Sequence, residues 1–284
     1  MVFFGAWEYG PEISDGLWGV PTSTIDWCEE NYVVSPYIAE AINTTTNSIF
    51  ILLAVWMLRN VLKNNLEFRF VLSALGFMLV GIGSWLFHMT LRYDFQLLDE
   101  LPMIYATCIP CWSVFQTRKT KEESRSIAWT IVSMAALVTA VYLYFKNPTI
   151  HQASYGILNC IVIAKSVAQT NELVKDPLAR ANLKKTLFLG VGEFLFAYIL
   201  WNLDIHLCQM WRPLRRWVGI PYGFFFELHG WWHLFTGTAV YKYMMYLEYL
   251  RIHALGLQDQ YEYVWHLNVF PVCRLKKHFP KKNN

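Results

Sequence analysis

Charge is what this sequence has least of. Only 16% of its 284 residues are Asp, Glu, Lys or Arg, against about 25% in a soluble domain, and that shortage argues against a chain dissolved in water. Basic residues are missing altogether from the first 37 positions, which hold Glu8, Glu12, Asp15, Asp26, Glu29 and Glu30 instead. A cleaved secretory leader starts with a basic segment, so none is expected, and the first apolar helix is expected to act as its own insertion signal. No low-complexity linker and no internal repeat interrupts the chain, which leaves one membrane domain. Nor is there a basic face interleaved with base-stacking aromatics, so nucleic acid is not an expected partner. No protein partner is inferred.

What is abundant is apolar. Hydrophobic residues make up 55% of the chain and aromatics 17%. They gather in seven blocks, roughly 38–58, 70–91, 97–116, 127–145, 151–171, 185–207 and 222–248, each near the length of about 20 helical residues that crosses a bilayer. The expected fold is an all-α integral membrane protein of seven transmembrane helices, with an arm over 1–37, a helical domain over 38–249 and a tail over 250–284. Basic residues in the links orient such a protein, because they stay in the cytosol. Seventeen lie on one side, among them Arg59, Arg118, Lys175 and the tail lysines, and five on the other: Arg92, Lys146, Arg212, Arg215 and Arg216. The N-terminus is therefore expected in the lumen and the tail in the cytosol. The closing Lys281-Lys282-Asn283-Asn284 matches a dilysine retrieval signal, so the expected home is the endoplasmic reticulum membrane, with cycling to the Golgi.

Strongly polar side chains inside membrane helices cost a few kcal/mol each, which makes every one a functional candidate. Glu40, Asn43, Thr44 and Asn47 form one stripe on the first helix. Ser84 and His88 sit four apart near the end of the second, Asp99 and Glu100 open the third, and Asp204 ends the sixth. The seventh contains "HGWWH", whose His229 and His233 share one helical face. With the expected orientation, Ser84, His88, Asp99, His229 and His233 all fall in the lumenal half. Three neutral imidazoles with a fourth position left to water form the open arrangement of catalytic zinc. The soluble motif H-E-x-x-H places its base between the histidines, but Gly230, Trp231 and Trp232 stand there. The base must come from elsewhere, and Asp99 is the candidate, with Ser84 as a hydrogen-bond donor. The plainer reading is a histidine pair bonded to oxygens of neighbouring helices; His88, Asp99 and Ser84 at matching depth weigh against it.

In the arm, "DWCEEN" brings Asp26, Glu29 and Asn31 together ahead of Glu40, oxygen donors of the kind calcium takes. Spacing alone also suits a solvated acidic surface; Glu40, a carboxylate at the membrane edge in need of a partner, favours calcium. Cys28 and Cys208 both face the oxidising side, which allows a disulfide. Cys108 and Cys111 read as buried packing in a membrane helix.

The stretches "GLWGVPTSTIDWCEENYVVSPYIAE", "GSWLFHMTLRYDFQLLDELPMIY" and "HGWWHLFTG" resemble the alkaline ceramidases, the fungal members in particular, in the same order and over most of the chain. The likeness weakens in the fourth and fifth helices and the tail. It implies a seven-helix hydrolase of the ceramidase/adiponectin-receptor superfamily, with zinc on His88, His229 and His233 and with Ser84 and Asp99 at the catalytic centre. It also implies calcium on Asp26, Trp27 (through its carbonyl), Glu29, Asn31 and Glu40, and a Cys28–Cys208 disulfide. The implied reaction is zinc-dependent hydrolysis of the amide of ceramide, a membrane lipid, to a sphingoid base and a fatty acid. Phytoceramide or dihydroceramide is the implied preference, and the reaction is one that fungal members run backwards. The alternative within the superfamily is a seven-helix lipid receptor with zinc in a structural role.

Overall fold

A computed structural model describes residues 4–277; the dilysine signal at Lys281 and Lys282 lies outside the described residues. The chain is mostly helical: α1 (Ala41–Thr46), α2 (Ser48–Lys63), α3 (Phe68–Thr90), α4 (Tyr93–Phe115), α5 (Lys121–Phe145), α6 (Pro148–Leu173), α7 (Pro177–His206), α8 (Cys208–Val218) and α9 (Leu228–Ala254), then strands β1 (Tyr261–His266) and β2 (Phe270–Leu275). Local signals explain several starts. Thr120 and Glu123 form a reciprocal capping box before α5, and the Asn147 side chain accepts from the Thr149 N–H with Pro148 opening α6. Asp176 accepts the Ala179 N–H at 2.8 Å ahead of α7.

Each of the seven apolar blocks falls on a long helical segment, with α1 and α2 together serving as the first. Among the described residues, four segments are long and apolar enough to cross a membrane: Ala41–Lys63, Phe68–Thr90, Lys121–Phe145 and Pro177–His206. Helices α4, α6 and α9 are long enough but more polar, since they contain Asp94, Asp99 and Glu100; Lys165 and Gln169; and His229, His233, Lys242 and Glu248. Helices α5 and α7 turn large apolar groups outward, including Trp129 at 67% exposure and Phe188 at 79%. Such a surface suits lipid rather than water.

Three features depart from the sequence reading. Helix α8 occupies what reads as a plain link after the sixth block. The last block begins later than expected, because Tyr222–Phe226 is a 3-10 turn. At Glu227 the backbone leaves helical geometry, its carboxylate drawn to Arg215, and α9 starts at Leu228. The segment read only as a tail holds an antiparallel hairpin of β1 and β2.

Contacts divide the chain into two compact units, Met1–Leu52 with Leu79–Glu100 and Glu193–Thr238, and Leu53–Met78 with Leu101–Gly192 and Ala239–Asn284. The second contains the hairpin, held by polar bonds. Asn60 Nδ2 donates to the Cys273 carbonyl at 3.1 Å, the Leu275 N–H to Asn64 Oδ1 at 2.9 Å, and the Tyr241 hydroxyl to the Pro271 carbonyl at 2.9 Å. In the first unit the arm crosses the last turn of α3. That turn leaves carbonyls without intrahelical donors, and the arm supplies them: Glu40 N–H to His88 at 3.0 Å, Ala39 N–H to Met89 at 2.9 Å, and Thr22 and Ser23 N–H to Leu91 at 3.0 and 3.1 Å. Trp27, Tyr32, Ala39, Phe87 and Leu91 form an apolar cluster beneath this crossing. Backbone pairing therefore sets Glu40 directly beside His88.

Candidate metal centre

His88 comes from the last turns of α3, and His229 and His233 from the first two turns of α9. All three are buried, and their candidate ligand atoms lie within 4.8 Å of one another. Each ring has a distinct second contact. His88 Nδ1 meets the Glu40 carboxylate in a short contact. His233 Nδ1 lies 3.0 Å from Thr46 Oγ1, which donates onward to the Ile42 carbonyl at 2.7 Å. A proton on Nδ1 satisfies both contacts and leaves Nε2 of His88 and His233 as bare donors, the arrangement in which a metal-binding imidazole is oriented by its other nitrogen. His229 differs: its Nδ1 is buried without a hydrogen bond, and its ring stacks on Trp27 with centroids 4.1 Å apart.

Ser84 lies one turn before His88 on the same face of α3, and its hydroxyl bonds to the Asp99 carboxylate. Gly83 makes this meeting possible, because a Cβ at that position would overlap the Leu98 carbonyl of α4. The two helices can touch there only through hydrogen. Asp99 is not among the side chains whose ligand atoms cluster with the three imidazoles; its contact here is with Ser84.

The four arm positions of the expected oxygen site, Asp26, Trp27, Glu29 and Asn31, gather near the fifth, Glu40. Glu29 accepts the N–H groups of Ile42 and Asn43 at 2.7 and 2.8 Å, at the start of α1. Asn31 Nδ2 approaches Asp26 Oδ1 at 3.5 Å. Asn31 Oδ1 and Glu40 Oε1 are buried with no hydrogen-bond donor among the described residues, and buried oxygens rarely go unpaired without an ion or water. Burial and the nearby Glu40 push the Glu29 carboxyl up to about 8, and burial raises Asp26. The nearby Arg212 and Arg215 offset this crowding only in part, and a cation with oxygen ligands would relieve the rest. Glu40 thus has one oxygen on His88 and the other facing this cluster.

A disulfide joins Cys28 to Cys208, whose Cα atoms lie 5.3 Å apart. The stripe on the first helix turns inward to the histidines: Asn43, Thr44 and Asn47 are fully buried, with Asn43 Nδ2 3.3 Å from Glu40 and Asn47 Nδ2 3.5 Å from His233 Nδ1. Three features carry no sequence signal. One is the Trp27 ring on His229. Another is Thr46 behind His233. The third is the α8 arginines: Arg212 and Arg216 bind the acidic arm, at Glu12 (3.3 Å) and Glu30 (2.7 Å), and buried Arg215 pairs with Glu227 just ahead of α9.

Comparison with known proteins follows the same lines. Residues 19–274 match the family described as Ceramidase. The chain is 46% identical over 278 residues to alkaline ceramidase YPC1 of Saccharomyces cerevisiae, covering 93% of this chain and 88% of the relative. It is 35% identical over 251 residues to alkaline ceramidase 3 of Mus musculus, covering 88% and 92%. With an alkaline ceramidase of Arabidopsis thaliana it shares 29% over 269 residues, covering 93% and 98%.

Proposed function

This chain belongs to the ceramidase family, and from that premise we propose that it hydrolyses the amide bond of a ceramide, phytoceramide or dihydroceramide, to a sphingoid base and a fatty acid. The observation that carries the reading is the trio His88, His229 and His233, three buried imidazoles with ligand atoms within 4.8 Å. Three nitrogen donors fit zinc, and the oxygen-only set Asp26, Trp27, Glu29, Asn31 and Glu40 fits calcium. A zinc ion on the histidines supplies the Lewis acidity that makes water a competent nucleophile near neutral pH.

The chain's own groups do the rest. Asp99 takes the proton from the attacking water as its oxygen bonds to the amide carbon. Ser84, held by Asp99 at rest, turns its hydroxyl toward the developing oxyanion. As the carbon–nitrogen bond breaks, Asp99 returns the proton to the departing amine. Glu40 holds His88 in one tautomer and, through its second oxygen, ties it to the calcium ligands. Run in reverse, the same groups condense amine and acid. The bilayer places this chemistry where a lipid amide arrives from the side. In this reading seven segments span the membrane of the endoplasmic reticulum, the arm over 1–37 lies in the lumen and the tail from 250 in the cytosol.

The test is release of fatty acid from fluorescent ceramides by purified protein, with metal analysis alongside. His233→Ala should lose both activity and zinc. Full activity in that variant sinks the zinc mechanism.

A further inference from the structure

Asp204, near the end of α7, is fully buried and is not one of the clustered ligands. Its Oδ1 accepts the His229 N–H at 3.3 Å, and its Oδ2 the Cys28 N–H at 3.3 Å. It also accepts from the Leu228 N–H. The first N–H groups of a helix have no partner within it, and α9 has only just begun at Leu228. A carboxylate from another helix therefore caps α9 at the residue before the first histidine of "HGWWH". Fully buried Arg215 sets a positive charge near Asp204 and donates to the Cys28 carbonyl at 2.8 Å.

His229 is the imidazole that needs this support. His88 is oriented by Glu40 and His233 by Thr46, whereas His229 Nδ1 has no hydrogen bond and its ring rests on Trp27. Trp27 precedes Cys28. One oxygen of Asp204 thus fixes the backbone that carries the histidine, and the other fixes the backbone next to the ring it stacks on. We propose that Asp204 is a positioning residue for the metal centre, aligning His229 by holding both sides of the His229–Trp27 stack. The proposal rests on the zinc reading above.

The test uses the purified full-length protein. Asp204→Asn keeps the size of the side chain but turns one acceptor into a donor facing an N–H group. Loss of an outer partner of a metal ligand weakens metal affinity about 10–100-fold. Asp204→Asn should therefore release zinc to a chelator about 10–100-fold faster than the wild type, with activity restored by excess zinc. The visible absorption of its cobalt-substituted form should shift, a signature that a loss of global stability does not produce. Arg216→Gln breaks an arm ion pair, with Glu30, in which Asp204 takes no part, and should hold zinc as the wild type does. Wild-type zinc retention and an unshifted cobalt spectrum in Asp204→Asn would overturn the proposal, as would equally fast loss from Arg216→Gln. If Asp204→Asn does not fold, Trp27→Leu carries the test, since removing the stack should speed zinc loss too; unchanged retention there overturns the proposal. A wild type without zinc, or a His229→Ala variant that holds as much, refutes the zinc reading instead.

Discussion

The proposed mechanism gives the carboxylates Asp99 and Glu40 different work. Asp99 bonds to Ser84 and is not one of the clustered ligands, which suits proton transfer. Asp99→Asn should keep zinc while lowering kcat by about 10²–10⁴, the usual contribution of a positioned acid–base group. Equal loss of metal and activity would reassign Asp99 as a ligand. Glu40 bonds to His88 with one oxygen and leaves the other without a donor among the arm carboxylates. Removing calcium with a chelator should lower activity in the wild type and add little in Glu40→Ala; an equal response in both would place calcium elsewhere. Because burial raises the Glu29 carboxyl to about 8, the cation-free site holds a proton below that pH that calcium must displace. Apparent calcium affinity should rise with pH up to about 8 and level off above it, as titration calorimetry on either side would show. The histidines were legible in the sequence because an imidazole in an apolar run is an anomaly that asks for a reason. The part Asp204 plays was not legible. It works by accepting backbone N–H groups, and every residue has one of those.

Among the elements, the closest approach decides most. Helices α3 and α4 meet at Gly83, where any Cβ overlaps the Leu98 carbonyl. Gly83→Ala should push the two helices apart, cost about 1–3 kcal/mol as overpacking does, and separate Ser84 from Asp99. Thermal unfolding and kcat should fall together; a variant of full activity would show that this contact does not set the Ser84–Asp99 pair. Helix α8 shows where the sequence could mislead. Read one by one, Arg212, Arg215 and Arg216 are only a basic minority on the acidic side of the chain. Folded, they pair with Glu12, Glu227 and Glu30, so charges far apart in sequence cancel. The long helices themselves were legible from apolar block length. The start of α9 was not, since Glu227 leaves the helix to reach a partner on α8. The β1–β2 hairpin is equally hidden, because Cys273 is buried against groups from distant helices, Asn60 among them.

Across the whole molecule, the two kinds of surface carry different consequences. The outward apolar faces of α5 and α7 leave no route to solubility without lipid or detergent. The proposed side of each terminus rests on the distribution of basic residues among the links, and tags at the two ends should report it. With the membrane sealed, a tag before residue 4 should resist protease and one after residue 277 should be cut; the reverse pattern would overturn the proposed orientation. Composition alone determined that this is a helical membrane chain. The rarity of polar groups within apolar blocks singled out Ser84, His88, Asp99, His229 and His233, because such groups cost too much in lipid to be idle. Only the tertiary structure decided how they are held. Periodicity places a residue on a face. The order Glu40 to His88, Thr46 to His233, and Asp204 with Trp27 to His229 comes instead from hydrogen bonds and ring contacts between segments up to 202 residues apart, and no local pattern encodes those.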